Sequence, residues 1–311
     1  MDYIINPDAG LDIGLVNRAV ESAFADHGNG LVQMPPKTYI TLPDGDFRTM
    51  PAYLPTLGIA GVKIVNVHPG NPSRGLPTVM ALTVILDVGT GEPMALLNAT
   101  RLTDMRTGAA GAVACKYLSL KKEIVLGVAG AGRQAEAQVE AISRELTIRE
   151  LKVWSRNPDH AGQFAERFSA FSGISAPLEQ VCDCDVLVTT TPSRKPIIRD
   201  EWIHEGMHIN AIGADASGKE ELDPAILNRA QVFVDDPAQA VHSGEINVPI
   251  SRGLYHETDL AGTLGEVVIG RKTRRDKDAI TVFDSTGLAI QDLAIAKIAM
   301  QHGTRINLPF P

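Results

Sequence analysis

The chain has 311 residues, 44% of them apolar and 21% charged, which suits about two globular domains and excludes a disordered chain. A net charge of −8 argues against a charge-driven nucleic-acid or membrane-surface binder. The one basic run, "RKTRRDK" at 271–277, reads as a solvated loop.

In chain order, the opening "MDYIINPDAG" lacks the basic and apolar regions of a signal peptide. A helix is expected over about 12–26. Strand-like pieces follow at "KTYITL", "GVKIVNVH" and "TVMALTVILDV", with turn clusters "PDGD", "HPGNPSRG" and "GTGEP" around them. This is a hairpin-rich antiparallel or mixed sheet. Its most apolar stretch is broken by Thr83 and Asp87 and is far too short to span a bilayer. A helix starting near Thr103, "TDMRTGAAGAVACKYL", is crowded with small residues that let another backbone approach, so it is expected at a seam between domains.

From 116 on, β-rich runs at 123–130, 151–154, 185–191, 208–213, 231–236 and 279–284 alternate with helical stretches such as 133–146. Buried strands alternating with crossover helices imply a mostly parallel sheet covered on both faces. The expected fold is α/β: a Rossmann domain over 116–289 and a smaller α+β domain formed by 1–115 and 290–311. Cys115, Cys182 and Cys184 form no disulfide framework, which points to a reducing cytoplasm. The "CDC" at 182–184 lacks a second ligand pair at zinc spacing, so no metal is expected.

"GVAGAGRQA" places Gly130, Gly132 and Ala135 between a strand and a helix. Gly130 permits a tight turn, Gly132 lets a pyrophosphate approach the backbone, and Ala135 permits close helix packing. A second strand ends about twenty residues later, where a dinucleotide's ribose is read. An NAD enzyme usually has an acidic residue there, but this chain has Trp154, Ser155, Arg156 and Asn157. A hydroxyl and a guanidinium would hydrogen-bond a 2′-phosphate that a carboxylate would repel, which favours NADP(H). The alternative leaves Arg156 in solvent, with Asp159 reaching back to the ribose of NAD(H).

Lys37, Arg48, Lys63 and Arg106 each lie beside an apolar strand or at a helix start, and any one of them alone reads more readily as a surface charge. Lys63 interrupts an apolar run and should point inward. Converging cations would suit a small carboxylate, and a desolvated lysine could transfer protons. Asp215 follows a strand at the carboxyl edge, where open α/β sheets bind ligands, or else caps a turn. Thr189, Thr190, Thr191, Asp284 and Ser285 stand at other strand ends, where loops commonly border a cofactor. No histidine is assigned a catalytic role.

Together "MPPKTY", "GDFRTMPAYL", "GVKIVNVHPGNPSRGLPTVMAL", "MRTGAAGAVACKYL", "DVLVTTTPSRKP", "INAIGAD", "GKEELD", "HSGEINVPISRG" and "FDSTGLAIQD" resemble the ornithine cyclodeaminase/μ-crystallin family, most of all its archaeal-type alanine dehydrogenase branch. The resemblance implies a homodimer whose first domain carries the substrate pocket and the subunit interface. It makes Lys63 and Asp215 catalytic and gives the substrate carboxylate to Lys37 and Arg48. Arg106 stands near both substrate and nicotinamide, with Thr107 also at the cofactor. Gly130, Ala131, Gly132, Arg133, Gln134 and the 154–157 loop match cofactor sites. Ser155-Arg156 is similar to the NADPH-using members.

The implied chemistry exchanges a hydride between an amino-acid Cα and the nicotinamide, by way of an iminium that water opens. A cyclodeaminase would need an acidic group for the distal ammonium, and this chain has Met50 where that group is expected. Alanine dehydrogenation leads, followed by reduction of a cyclic ketimine, ornithine cyclodeamination and, last, NADPH binding without turnover.

Overall fold

Alternation of buried and exposed positions organises the first of two units. The computed structural model describes residues 1–309, and the chain divides into Met1–Arg106 with the segment from Leu288 on, and Thr107–Gly287. In the first unit, β1 (Asp2–Ile4), β2 (Thr38–Leu42), β3 (Gly45–Leu54), β4 (Ile59–Val67), β5 (Val79–Leu86) and β6 (Pro93–Asn98) join a last short strand, Arg305–Asn307, in one sheet. From β2 to β6 the strands pair antiparallel in chain order, while β1 runs parallel to β6.

Every second residue turns inward: Arg48, Met50, Ala52 and Leu54 on β3, and Ile59, Lys63 and Val65 on β4. The C-terminal helix, Ala289–Ala299, packs on β3, β4 and β5 and against helix α1 (Ile13–Gly28). β3 lies outside the strands that periodicity predicts, because Pro51 argues against a strand there. The sheet tolerates it because β2 pairs only with Gly45–Thr49. Pro51 falls in the gap between that pairing and the bridge from Tyr53 to Gln33, so the missing N–H costs no ladder bond.

The second unit holds ten strands: β7 (Glu123–Ala129), β8 (Thr147–Trp154), β9 (Gly173–Ser175), β10 (Val186–Thr189), β11 (Arg194–Ile198), β12 (His208–Ala211), β13 (Glu220–Leu222), β14 (Gln231–Val234), β15 (Gly262–Thr263) and β16 (Thr281–Asp284). Eight form a wholly parallel sheet in the order β15-β14-β16-β12-β10-β7-β8-β9, and β11 pairs with β13 beside it. β10, β12 and β16 are buried at every position, as strands covered on both faces must be. The order reverses between β7 and β10, the switch point of a Rossmann-type sheet.

Helix α2 (Thr100–Leu118) contains the division between the units. Its small residues serve the second unit. A side chain at Gly108 would collide with the backbone of Ala137, and one at Gly111 with Gln138 and Asn210. Among the described residues no helix is long and apolar enough to cross a membrane.

Candidate active site

In the second unit, β7 ends at Ala129 and the chain turns through Gly130, at φ 122°, into helix α3 (Arg133–Ile142). That φ favours glycine, and a Cβ at Gly130 would also strike the Thr190 side chain. The turn is pinned on both sides: Gly130 N–H donates to the Trp154 carbonyl at 2.8 Å and Thr190 N–H to the Ala129 carbonyl at 2.9 Å. Gly132 caps α3 without a side-chain partner, and the space its Cβ would fill is open. A glycine with room to spare beside uncapped helix N–H groups is a cradle for a phosphate.

The cradle opens into a cavity of about 400 Å³, bordered by Gly130, Ala131, Gly132, Trp154, Ser155, Arg156, Asn157, Thr190 and Thr191. Position at the switch point, glycine turn and helix N-terminus all fit a nicotinamide dinucleotide. Four lining residues were not expected from the sequence: His160, Pro192, Ser193 and Ile197. No carboxylate lines the cavity. Asp159 is the second residue of the next helix, Pro158–Arg167, where its backbone N–H is capped by Asn157 Oδ1 at 3.0 Å.

Several expected cofactor residues stand elsewhere. Arg133 and Gln134 open α3 outside the cavity lining, and the Thr107 carbonyl accepts from Gln138 at 2.8 Å. Thr189 is fully buried and donates to Glu221 at 2.7 Å. Asp284 and Ser285 are buried, with Asp284 accepting from Ile246 N–H at 3.2 Å. The loop after them is held by Asp235, which accepts from Thr286 and Gly287. Asp215 is partly exposed and paired with Lys219 at 2.5 Å. Cys182 and Cys184 are buried free thiols, and among the described residues no His, Cys, Asp or Glu group could hold a metal.

The first unit gathers charge on the inner face of its sheet. Lys63 stands directly opposite Met50 on β3 and Thr83 on β5. The side chain is 1% exposed, and its Nζ lies 2.7 Å from Asp292 on the C-terminal helix. Arg106 Nε approaches Asp292 at 3.0 Å, and its Nη1 donates to Gln291 at 3.1 Å. Arg48 is held by Asp46 at 2.7 Å, and Arg48 and Lys37 both lie over the Tyr39 ring.

Burial lowers Lys63 to about 7, helped by the Arg106 and Lys37 charges and opposed by the Asp292 charge and hydrogen bond. A lysine near neutrality can hold or release a proton at working pH. Arg106, Arg48 and Lys37 are basic groups of the kind that binds an anionic ligand. Asp292 and Gln291 were missed from the sequence. The signal was a polar pair in the first part of a helix where residues 289–296 are all buried and otherwise apolar.

A profile of the "Ornithine cyclodeaminase/mu-crystallin family" matches residues 10–303. Alanine dehydrogenase of Archaeoglobus fulgidus is 50% identical over 294 residues, covering 93% of this chain and 90% of that protein. Among solved structures, an archaeal alanine dehydrogenase dimer with bound NAD is 46% identical, with a TM-score of 0.94 and 99% of each chain covered. The Δ1-pyrroline-2-carboxylate reductase of Thermococcus litoralis, in complex with NADH and L-proline, is 34% identical. It also superimposes with a TM-score of 0.94, over 99% of this chain and 100% of the other.

Proposed function

The chain belongs to the ornithine cyclodeaminase/mu-crystallin family and is an NAD(P)-dependent oxidoreductase of amino acids or their imines; from that premise we propose that it is an alanine dehydrogenase. It would interconvert L-alanine, water and the oxidised dinucleotide with pyruvate, ammonia, a proton and the reduced dinucleotide. The observation that carries this reading is the inner sheet face, where Lys63, which shares Asp292 with Arg106, stands opposite Met50.

Arg106, Arg48 and Lys37 supply the charge for one carboxylate. Met50 gives a short apolar side chain a surface and offers no anion to a distal ammonium, as ornithine would require. The bound dinucleotide would exchange a hydride with the substrate Cα. Lys63, poised near neutrality, then carries protons to and from the oxygen and nitrogen of the carbinolamine formed when water adds. Asp215, at the carboxyl edge of the parallel sheet, is proposed as a second catalytic residue.

NADP(H) is the proposed cofactor. Ser155 and Arg156 line the cavity and no carboxylate does. The two solved relatives carry NAD and NADH, so this preference is where the chain should differ from them. A homodimer is proposed as well. The outer sheet face shows Ile64 (41% exposed) directly across from Leu82 (42% exposed), an apolar pair typical of an interface.

A matched rate assay tests the reading, with NADPH and NADH each supplied with pyruvate plus ammonium and separately with pyrroline-2-carboxylate. Ammonium-dependent turnover of pyruvate is expected. Turnover of the cyclic imine alone would make the chain a ketimine reductase.

A further inference from the structure

Glu221 on β13 is completely buried, and both oxygens of its carboxylate are hydrogen-bonded. Its Oε1 accepts from Thr191 N–H at 2.6 Å. Its Oε2 accepts from the Thr189 hydroxyl at 2.7 Å and from Gly213 N–H at 2.9 Å. All three donors are neutral, and they come from the carboxyl ends of β10 and β12, which are neighbours in the sheet. A buried carboxylate without a cation is costly, and only its donors offset that cost. Glu221 is itself fixed from behind, because Glu245 Oε1 accepts from the backbone N–H of Glu221 at 2.8 Å and of Leu222 at 2.6 Å. The packing is tight enough that a side chain at Gly213 would collide with the Glu221 carboxylate and the Thr191 carbonyl.

The residues so held flank the cavity wall. Thr190, between two residues that bond Glu221, lines the cavity and presses on Gly130, and Thr191 lines it too. Gly213 leads the chain toward Asp215. A dinucleotide at a switch point lies across it, one mononucleotide half on each side. Ser155 and Arg156 follow β8 on one side, while Thr190 and Thr191 follow β10 on the other.

We propose that Glu221 is a positioning residue whose carboxylate ties the loops after β10 and β12 together, holding the wall for the half of the cofactor distal to the adenosine. This rests on the dinucleotide reading of the cavity. It assigns the two mononucleotide halves different dependence on one buried side chain.

The test is Glu221→Gln in the 311-residue chain. The substitution keeps the volume but turns one acceptor oxygen into an NH₂ that must face an N–H. Binding of NADPH and of its adenosine fragment 2′,5′-ADP is measured by titration, together with kcat and KM. The expected result is NADPH affinity lowered about tenfold or more, with a lower kcat, while 2′,5′-ADP binding stays within about twofold. Thr189→Val removes a single donor at nearly constant shape and should show the same pattern more weakly, so it carries the test if the first variant does not fold.

Equal weakening of both ligands would mark Glu221 as a general stabiliser and overturn the proposal, as would no change in either. A wild-type protein that binds neither NADPH nor NADH would overturn the cofactor reading and the proposal with it. Loss confined to the variants keeps the two failures apart.

Discussion

The second unit builds its cavity largely from backbone: a glycine turn, a helix N-terminus and strand ends pinned by main-chain hydrogen bonds. The first unit builds its cluster from long side chains that start on β4, α2 and the C-terminal helix and meet in a buried knot. A backbone cradle can accept any dinucleotide phosphate, and it leaves the choice of cofactor to a few residues at its rim. A knot of buried charges instead fixes chemistry, because each partner sets the ionisation of the others. Substitutions in the first unit should therefore act on turnover and pH dependence, and substitutions at the rim of the second on cofactor preference.

Lys63→Met should break that contrast most visibly. If Lys63 carries protons, kcat falls roughly 10²–10⁴-fold, while NADPH binding, followed by nicotinamide fluorescence, is unchanged. A parallel loss of cofactor affinity would show that the division of labour is wrong. At the rim, Arg156→Ala should weaken NADPH by about ten- to a hundred-fold, the value of a charge-assisted hydrogen bond, and leave NADH nearly unaffected. Equal losses for both cofactors would place Arg156 away from the 2′-phosphate.

Asp292→Asn sharpens the comparison within the knot. The Asp292 carboxylate raises Lys63 against the stronger effect of burial, so removing it lowers Lys63 further below about 7. In the direction of alanine oxidation Lys63 must be neutral to accept a proton. The acidic limb of the rate profile should therefore shift to lower pH, with a reduced plateau. A shift to higher pH would contradict the electrostatics. Ile64→Glu combined with Leu82→Glu should have the smallest effect on the intrinsic chemistry. It places like charges on the outer sheet face, and light scattering should then report a mass of one chain instead of two.

What could be read from the sequence follows the same contrast. The glycine turn, the parallel strands and Ser155-Arg156 are local in the chain, so spacing alone found them. The inward turn of Lys63 was legible because a lysine interrupts an apolar alternation. Its partner was not, since Asp292 lies 229 residues away and only the fold brings them together. Pro51 hid β3, because whether a proline fits a strand depends on where the neighbouring strand stops. Thr189 looked like cofactor wall from its place at a strand end, but its hydroxyl turns inward to Glu221. Which side chains of a strand-end loop face a cavity is a tertiary fact that period and propensity do not encode.

The pH dependence of kcat/KM for L-alanine oxidation by the wild-type protein tests the central claim most directly, because it reads the group that the first unit buries. The account predicts a rate that rises with pH through a midpoint near 7, the value to which burial lowers Lys63, and that loses this limb in Lys63→Met. A profile with no ionisation near neutrality, or the same limb surviving in Lys63→Met, would contradict it.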